Sequence, residues 1–60
     1  YPPTIYNFAS YYATVGDVEQ AVRELKRAFA LYPKLKSWPA TDPDFDRIRD
    51  DERFRALFQR

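Results

Sequence analysis

Ile5, Phe8, Ala9, Tyr12 and Val15 recur at helical spacing, which predicts a first helix over residues 4–15. Pro2 and Pro3 precede it, where proline suits a first turn. Gly16 is the expected stop, because glycine accepts the left-handed conformation that ends a helix. Asp17 follows as an N-cap with Gln20 three residues on, a capping-box pattern. A second stripe of Val18, Ala21, Val22, Leu25, Ala28, Phe29 and Tyr32 predicts a helix over residues 18–32. Arg23, Glu24, Lys26 and Arg27 fall on its other, solvated side. Pro33 ends it by biasing Tyr32 away from helical geometry. A turn this short forces the two helices antiparallel.

Residues 34–43 read as a connector, with Trp38 expected to lie over the open end of the hairpin. Asp42 before Pro43 is an N-cap with proline at the first helical position. Phe45 and Ile48 then mark a short helix over residues 43–49. Asp50 or Asp51 restarts a helix over 52–59, in which Phe54, Leu57 and Phe58 form one apolar face. One glycine and little β-branched alternation leave no strand. The expected class is all-α, with a helix-turn-helix unit in residues 1–35 and a connector with short helices in 36–60.

At 60 residues the chain holds at most one small domain, and without an initiator Met it reads as a piece of something longer. It has no cysteine and no histidine, which removes disulfides, thiolate metal sites, and the commonest general base. An enzyme is therefore not expected, nor is a cofactor. The net charge of +1 hides a segregation. Residues 23–36 carry Arg23, Lys26, Arg27, Lys34 and Lys36 against Glu24, for +4, and residues 37–52 carry six carboxylates against Arg47 and Arg49, for −4. Arg53, Arg55 and Arg60 close the chain. A nucleic-acid binder shows a one-signed face, whereas here each basic block is answered by an acidic one. The strip from Arg23 to Lys36 suits an acidic partner or a membrane surface, or else it is solvated and paired with the acidic tail.

These residues carry a resemblance. Residues 2–35 resemble one tetratricopeptide (TPR) repeat, a helix-turn-helix of about 34 residues. Ile5 stands where Trp is commonest, Phe8 and Ala9 fill the bulky-small pair, Tyr12 matches the Tyr, and Gly16-Asp17 supplies the turn. Ala21, Leu25, Ala28 and Pro33 match the second helix; the departures are Ile5 for Trp and Ala9 for a frequent Gly. The resemblance implies that Ala9, Ala21 and Ala28 let the helices approach while Phe8, Tyr12 and Leu25 fill the space beside them. The tail resembles the segment that closes bacterial TPR arrays, with Trp38, Phe45, Ile48, Phe54 and Leu57 covering the second helix.

The function so implied is non-catalytic protein–protein interaction or assembly. The partner is a protein or peptide, or neighbouring repeats or subunits of a larger complex. The resemblance places Pro3, Tyr6, Ser10, Ala13 and Thr14 on a concave partner-binding wall, where Tyr6 would be a peptide contact. Tyr1, Tyr6 and Tyr11 lie off the main stripe, and Tyr6 and Tyr11 equally suit packing on a preceding repeat. Some TPR domains clamp a terminal carboxylate with Lys and Asn four residues apart; Tyr6 and Ser10 stand there instead, against such a clamp. The alternative function is docking into a larger complex through the open N-terminal face, with no free peptide bound. Asp42-x-Asp44-x-Asp46 opens like a calcium loop, but Arg47 and Arg53 occupy the positions that need Gly and Glu. Dipole-favourable carboxylates at a helix start are the simpler reading.

Overall fold

The first two helices meet at a corner closed by backbone hydrogen bonds from Val15, Gly16 and Asp17. In the computed structural model, which describes residues 3–58, α1 spans Thr4–Thr14 and α2 spans Val18–Leu31. Readings placed on Tyr1, Pro2, Gln59 and Arg60 lie outside the described residues. Gly16 sits at φ +82°, and its N–H donates to Ala13 O at 3.1 Å while Asp17 N–H donates to Tyr12 O at 2.9 Å. That is the paired closure of a helix C-terminus through a left-handed glycine. The Asp17 carboxylate then accepts from Gln20 N–H at 3.2 Å and opens α2. Because the Asp17 N–H is already given to Tyr12, it is not free for the Gln20 side chain, so only half of the capping box forms.

After α2 the chain tightens instead of loosening. A 3-10 segment covers Pro33–Ala40, a second covers Pro43–Ile48, and a short α3 covers Glu52–Ala56. Residues expected to form a plain connector are thus helical through Ala40. Pro33 and Pro39 fix φ and remove two N–H donors, and a three-residue repeat tolerates that better than an α-helix does. Asp42 accepts from Asp44 N–H at 3.0 Å, and Asp51 from Arg53 N–H at 2.8 Å, so Asp51 rather than Asp50 restarts the helix. Leu57 and Phe58 continue past α3 as a turn. The described residues contain no strand, and the chain is all-α.

Ala9, Ala13, Ala21 and Ala28 are fully buried with Leu25, so small side chains line the close approach of α1 and α2. The tail completes the core with Leu35, Pro39, Phe45, Ile48 and Phe54. Burying Phe45 or Leu25 contributes about 1.5–3 kcal/mol each.

Four expectations about packing are corrected. Phe8 does not fill the helix pair; it is 55% exposed, and the buried face of α1 is Tyr6, Ala9, Ser10 and Ala13. The face is rotated because the second 3-10 segment packs on α1, bringing Phe45 within 5.7 Å of the Tyr6 ring. For the same reason Phe45 and Ile48 belong to a segment that covers the first helix, not the second. Trp38 rests edge-on against Tyr6 at 5.3 Å with 41% of its surface still exposed, so it seals α1 only in part. Glu24, expected in solvent, is buried and bonded to Arg27 at 3.2 Å.

Candidate functional site

The residues expected to form a partner-binding wall are placed together on α1, and the chain's own tail covers most of that wall. Tyr6 is only 3% exposed, Ala13 is fully buried, and Ser10 is buried with its Oγ donating to Tyr6 O at 3.2 Å. Pro3 is half-buried at the start of α1. Thr14 is exposed, but its hydroxyl donates to Tyr11 O at 2.7 Å and its carbonyl accepts from Arg47 Nη1 at 3.0 Å. As a contact surface for a free peptide, Tyr6, Ser10 and Ala13 are closed.

The closure is polar as well as apolar. Tyr6 OH donates to Asp42 Oδ2 at 2.8 Å, while Asp42 Oδ1 caps the second 3-10 segment. Burial pushes the Tyr6 phenol above its ordinary value, and the hydrogen bond to Asp42 with the negative charges of Asp42 and Asp44 pushes it further. Arg49 gathers the loop around this point. It donates to Pro39 O at 2.8 Å, Ala40 O at 3.2 Å, Asp42 O at 2.9 Å and Asp46 Oδ1 at 2.9 Å. A planar guanidinium is the one side chain with donors enough for that many acceptors. Neither Arg47 nor Arg49 is marked out by the sequence beyond its charge set against the six carboxylates of residues 37–52. The available signal was Asp46 three residues before Arg49.

What the tail leaves open is different. Phe8, Tyr11 and Val15 are 55%, 60% and 52% exposed and follow one another along one side of α1. Tyr12, half-buried, stacks edge-on to Tyr11 at 5.5 Å and extends the apolar band. At the other end of the hairpin, Pro3, Leu31, Tyr32, Pro33, Leu35 and Trp38 line an open cleft of about 520 Å³.

The basic strip does not stay together. Arg23, Lys26 and Lys36 face a groove that also receives Arg53, whereas Arg27 turns to Glu24 and Lys34 joins the cleft beside Tyr32. Of the tail carboxylates, Asp46 is bonded to Arg49, and Asp51 to Arg53, whose hydrogen bonds hold the Asp51 carboxyl below its ordinary value. Among the described residues no group of three metal-ligating side chains converges, and no helix is long and apolar enough to cross a membrane. No family model, curated protein or solved structure matches the chain.

Proposed function

We propose that the chain is a non-catalytic assembly module of TPR-like design, which docks into a larger protein complex through the open face of α1. The observation that carries this reading is the exposed apolar band of Phe8, Tyr11 and Val15 on a helix whose opposite face is sealed. Scattered exposed apolar residues are ordinary, but a run on one helix face marks a contact surface. The occupant with matching chemistry is an amphipathic helix of a neighbouring repeat or subunit, packing its apolar stripe along α1. The small residues between α1 and α2 and the glycine-aspartate turn support the repeat-like reading. Free-peptide binding on the Tyr6 wall is disfavoured, since it requires the tail to leave.

The test is a photoreactive phenylalanine analogue in place of Tyr11 in the chain expressed in cells, with the same probe in place of Ala30 as control. A discrete protein neighbour crosslinked only from the α1 position, and lost on Phe8→Glu, is the expected result. The same diffuse pattern from both positions would remove the α1 face as an interface.

A further inference from the structure

A second surface lies between α2 and α3, and it shares no residue with the apolar band of α1. It is an open groove of about 770 Å³. Its floor is apolar: Val22 is buried, Phe29 and Leu57 are half-buried, and Ala56 completes it. Its rim is basic. Arg23 and Lys26 come from α2, Lys36 from the first 3-10 segment and Arg53 from α3, against Glu19 as the one lining carboxylate. Arg53 is held by Asp51 at 3.1 Å, while Arg23, Lys26 and Lys36 bond no carboxylate among the described residues. Two consecutive elements and the more distant α3 thus bring four cations around one strip of hydrocarbon.

We propose that this groove binds an acidic amphipathic segment of a partner protein. Its Asp or Glu side chains would meet Arg23, Lys26 and Lys36, and an intervening aliphatic or aromatic side chain would rest on Val22, Phe29 and Leu57. Charge complementarity selects the sign of the ligand, and the apolar floor selects against a purely ionic one. The shape selects a peptide over a bilayer. A membrane-binding surface pushes apolar side chains outward into the acyl region, whereas here Val22 is buried and Phe29 and Leu57 are half-buried among cations that are all more exposed. A second copy of this chain is a poor occupant despite its acidic tail. Asp42, Asp46 and Asp51 are already bonded, and although Asp44, Asp50 and Glu52 are exposed, the bulky apolar residues among them, Phe45 and Ile48, are buried in their own core.

The experiment is fluorescence anisotropy of the full chain with a labelled peptide of alternating glutamates and leucines. Two control peptides replace every glutamate by glutamine or every leucine by serine. The expected result is saturable binding that weakens with salt and with either control, and that falls about tenfold in the double variant Arg23→Glu, Lys26→Glu. Lys36→Glu, on a different element, weakens it too, and far-UV circular dichroism reports that each variant keeps its helices. Phe8→Glu leaves it unchanged, which separates this groove from the docking face of α1. No saturable binding of the glutamate–leucine peptide, equal binding of the glutamine peptide, or equal affinity in the charge-reversed variants overturns the proposal. So does binding to phosphatidylserine vesicles in the absence of peptide binding. Displacement of the peptide by self-association of the chain would assign the groove to a second copy and overturn it as well.

Discussion

The Tyr6 hydroxyl and the Asp42 carboxylate meet at 2.8 Å across a separation of 36 residues, joining the first helix to the far side of the chain. One carboxylate does two things there. Oδ2 accepts from the phenol and Oδ1 accepts from Asp44 N–H, so the residue that starts the second 3-10 segment also fixes where that segment lands. Tyr6→Phe deletes only the donor, and Asp42 is accessible enough to be rehydrated; the expected cost in a urea melt is about 1 kcal/mol. Tyr6→Ala also removes a ring packed between Trp38 and Phe45, at an expected cost of about 3–5 kcal/mol. A Tyr6→Ala chain with unchanged stability would mean the tail does not rest on α1.

The same pair makes stability fall in alkali. The Tyr6 phenol is raised above its ordinary value of 10.0 in the folded chain. Below that value both folded and unfolded chains keep the phenol proton and the full contribution is present. Above it the unfolded chain loses the proton first, so ionisation favours unfolding. Wild type is therefore expected to exceed Tyr6→Phe at neutral pH, and the gap to close and then invert as pH climbs past 10.0. Urea midpoints of both proteins along a pH series check this; parallel curves would place the phenol in water. Asp51, lowered by Arg53, acts in the opposite sense, with its contribution present above its ordinary 3.8 and lost as pH falls through the depressed value.

Phe8 and Phe45 make a matched comparison, one outside and one inside. Phe45→Ala opens a cavity under Tyr6 and Phe54 and is expected to cost about 3–5 kcal/mol. Phe8→Ala removes an exposed ring and is expected to stay within about 1 kcal/mol in the isolated chain. The two variants, melted side by side, report which face of α1 is the buried one. Equal costs would return the core to the Phe8 side.

Arg49→Ala is expected to cost about 2–3 kcal/mol, because three backbone carbonyls and Asp46 lose a shared donor. Arg49→Lys should recover little of this, since an ammonium lacks the planar fork that reaches Pro39, Asp42 and Asp46 together. Full rescue by lysine would reduce the role of Arg49 to charge alone.

Gly16→Ala tests the corner between α1 and α2. An added Cβ would sit 3.5 Å from Arg47 Cδ, an ordinary contact, so the penalty comes from the backbone at φ +82°. The expected loss is about 1–2 kcal/mol, with Gly16→Asn costing less because asparagine tolerates that region. A thermal melt of the two variants separates backbone strain from crowding, which would make asparagine the worse of the pair.

Much of this architecture is legible in local chemistry. Gly16, Asp17, Pro33 and Asp51 act within a few residues of themselves, as does the Oδ1 cap of Asp42, and a reading of spacing and caps finds these roles. The α2 stripe is legible for the same reason, as its apolar positions recur without interruption. The buried face of α1 is not. Apolar residues run along both Phe8-Tyr11-Val15 and Tyr6-Ala9-Ala13, and what decides between them is a segment 36 residues away in the case of Tyr6 and Asp42. The expected wall of Pro3, Tyr6, Ser10, Ala13 and Thr14 therefore looks like a surface in the sequence although Tyr6, Ser10 and Ala13 are interior. The first 3-10 segment is not legible as a helix because prolines set it, not a hydrophobic period, whereas Asp42-Pro43 and the Phe45–Ile48 spacing do mark the second as a short helix. The basic groove was visible only as a charge run, since Arg53 joins it from another element.

Asp17 gives its N–H to the helix behind it and its carboxylate to the helix ahead. All three residues between the two helices, Val15, Gly16 and Asp17, donate their N–H groups back into α1, so none is left free to act as a pivot, and the corner is a weld rather than a joint. A load placed on α1 is carried straight into α2, so a partner that tilts one helix tilts the other with it.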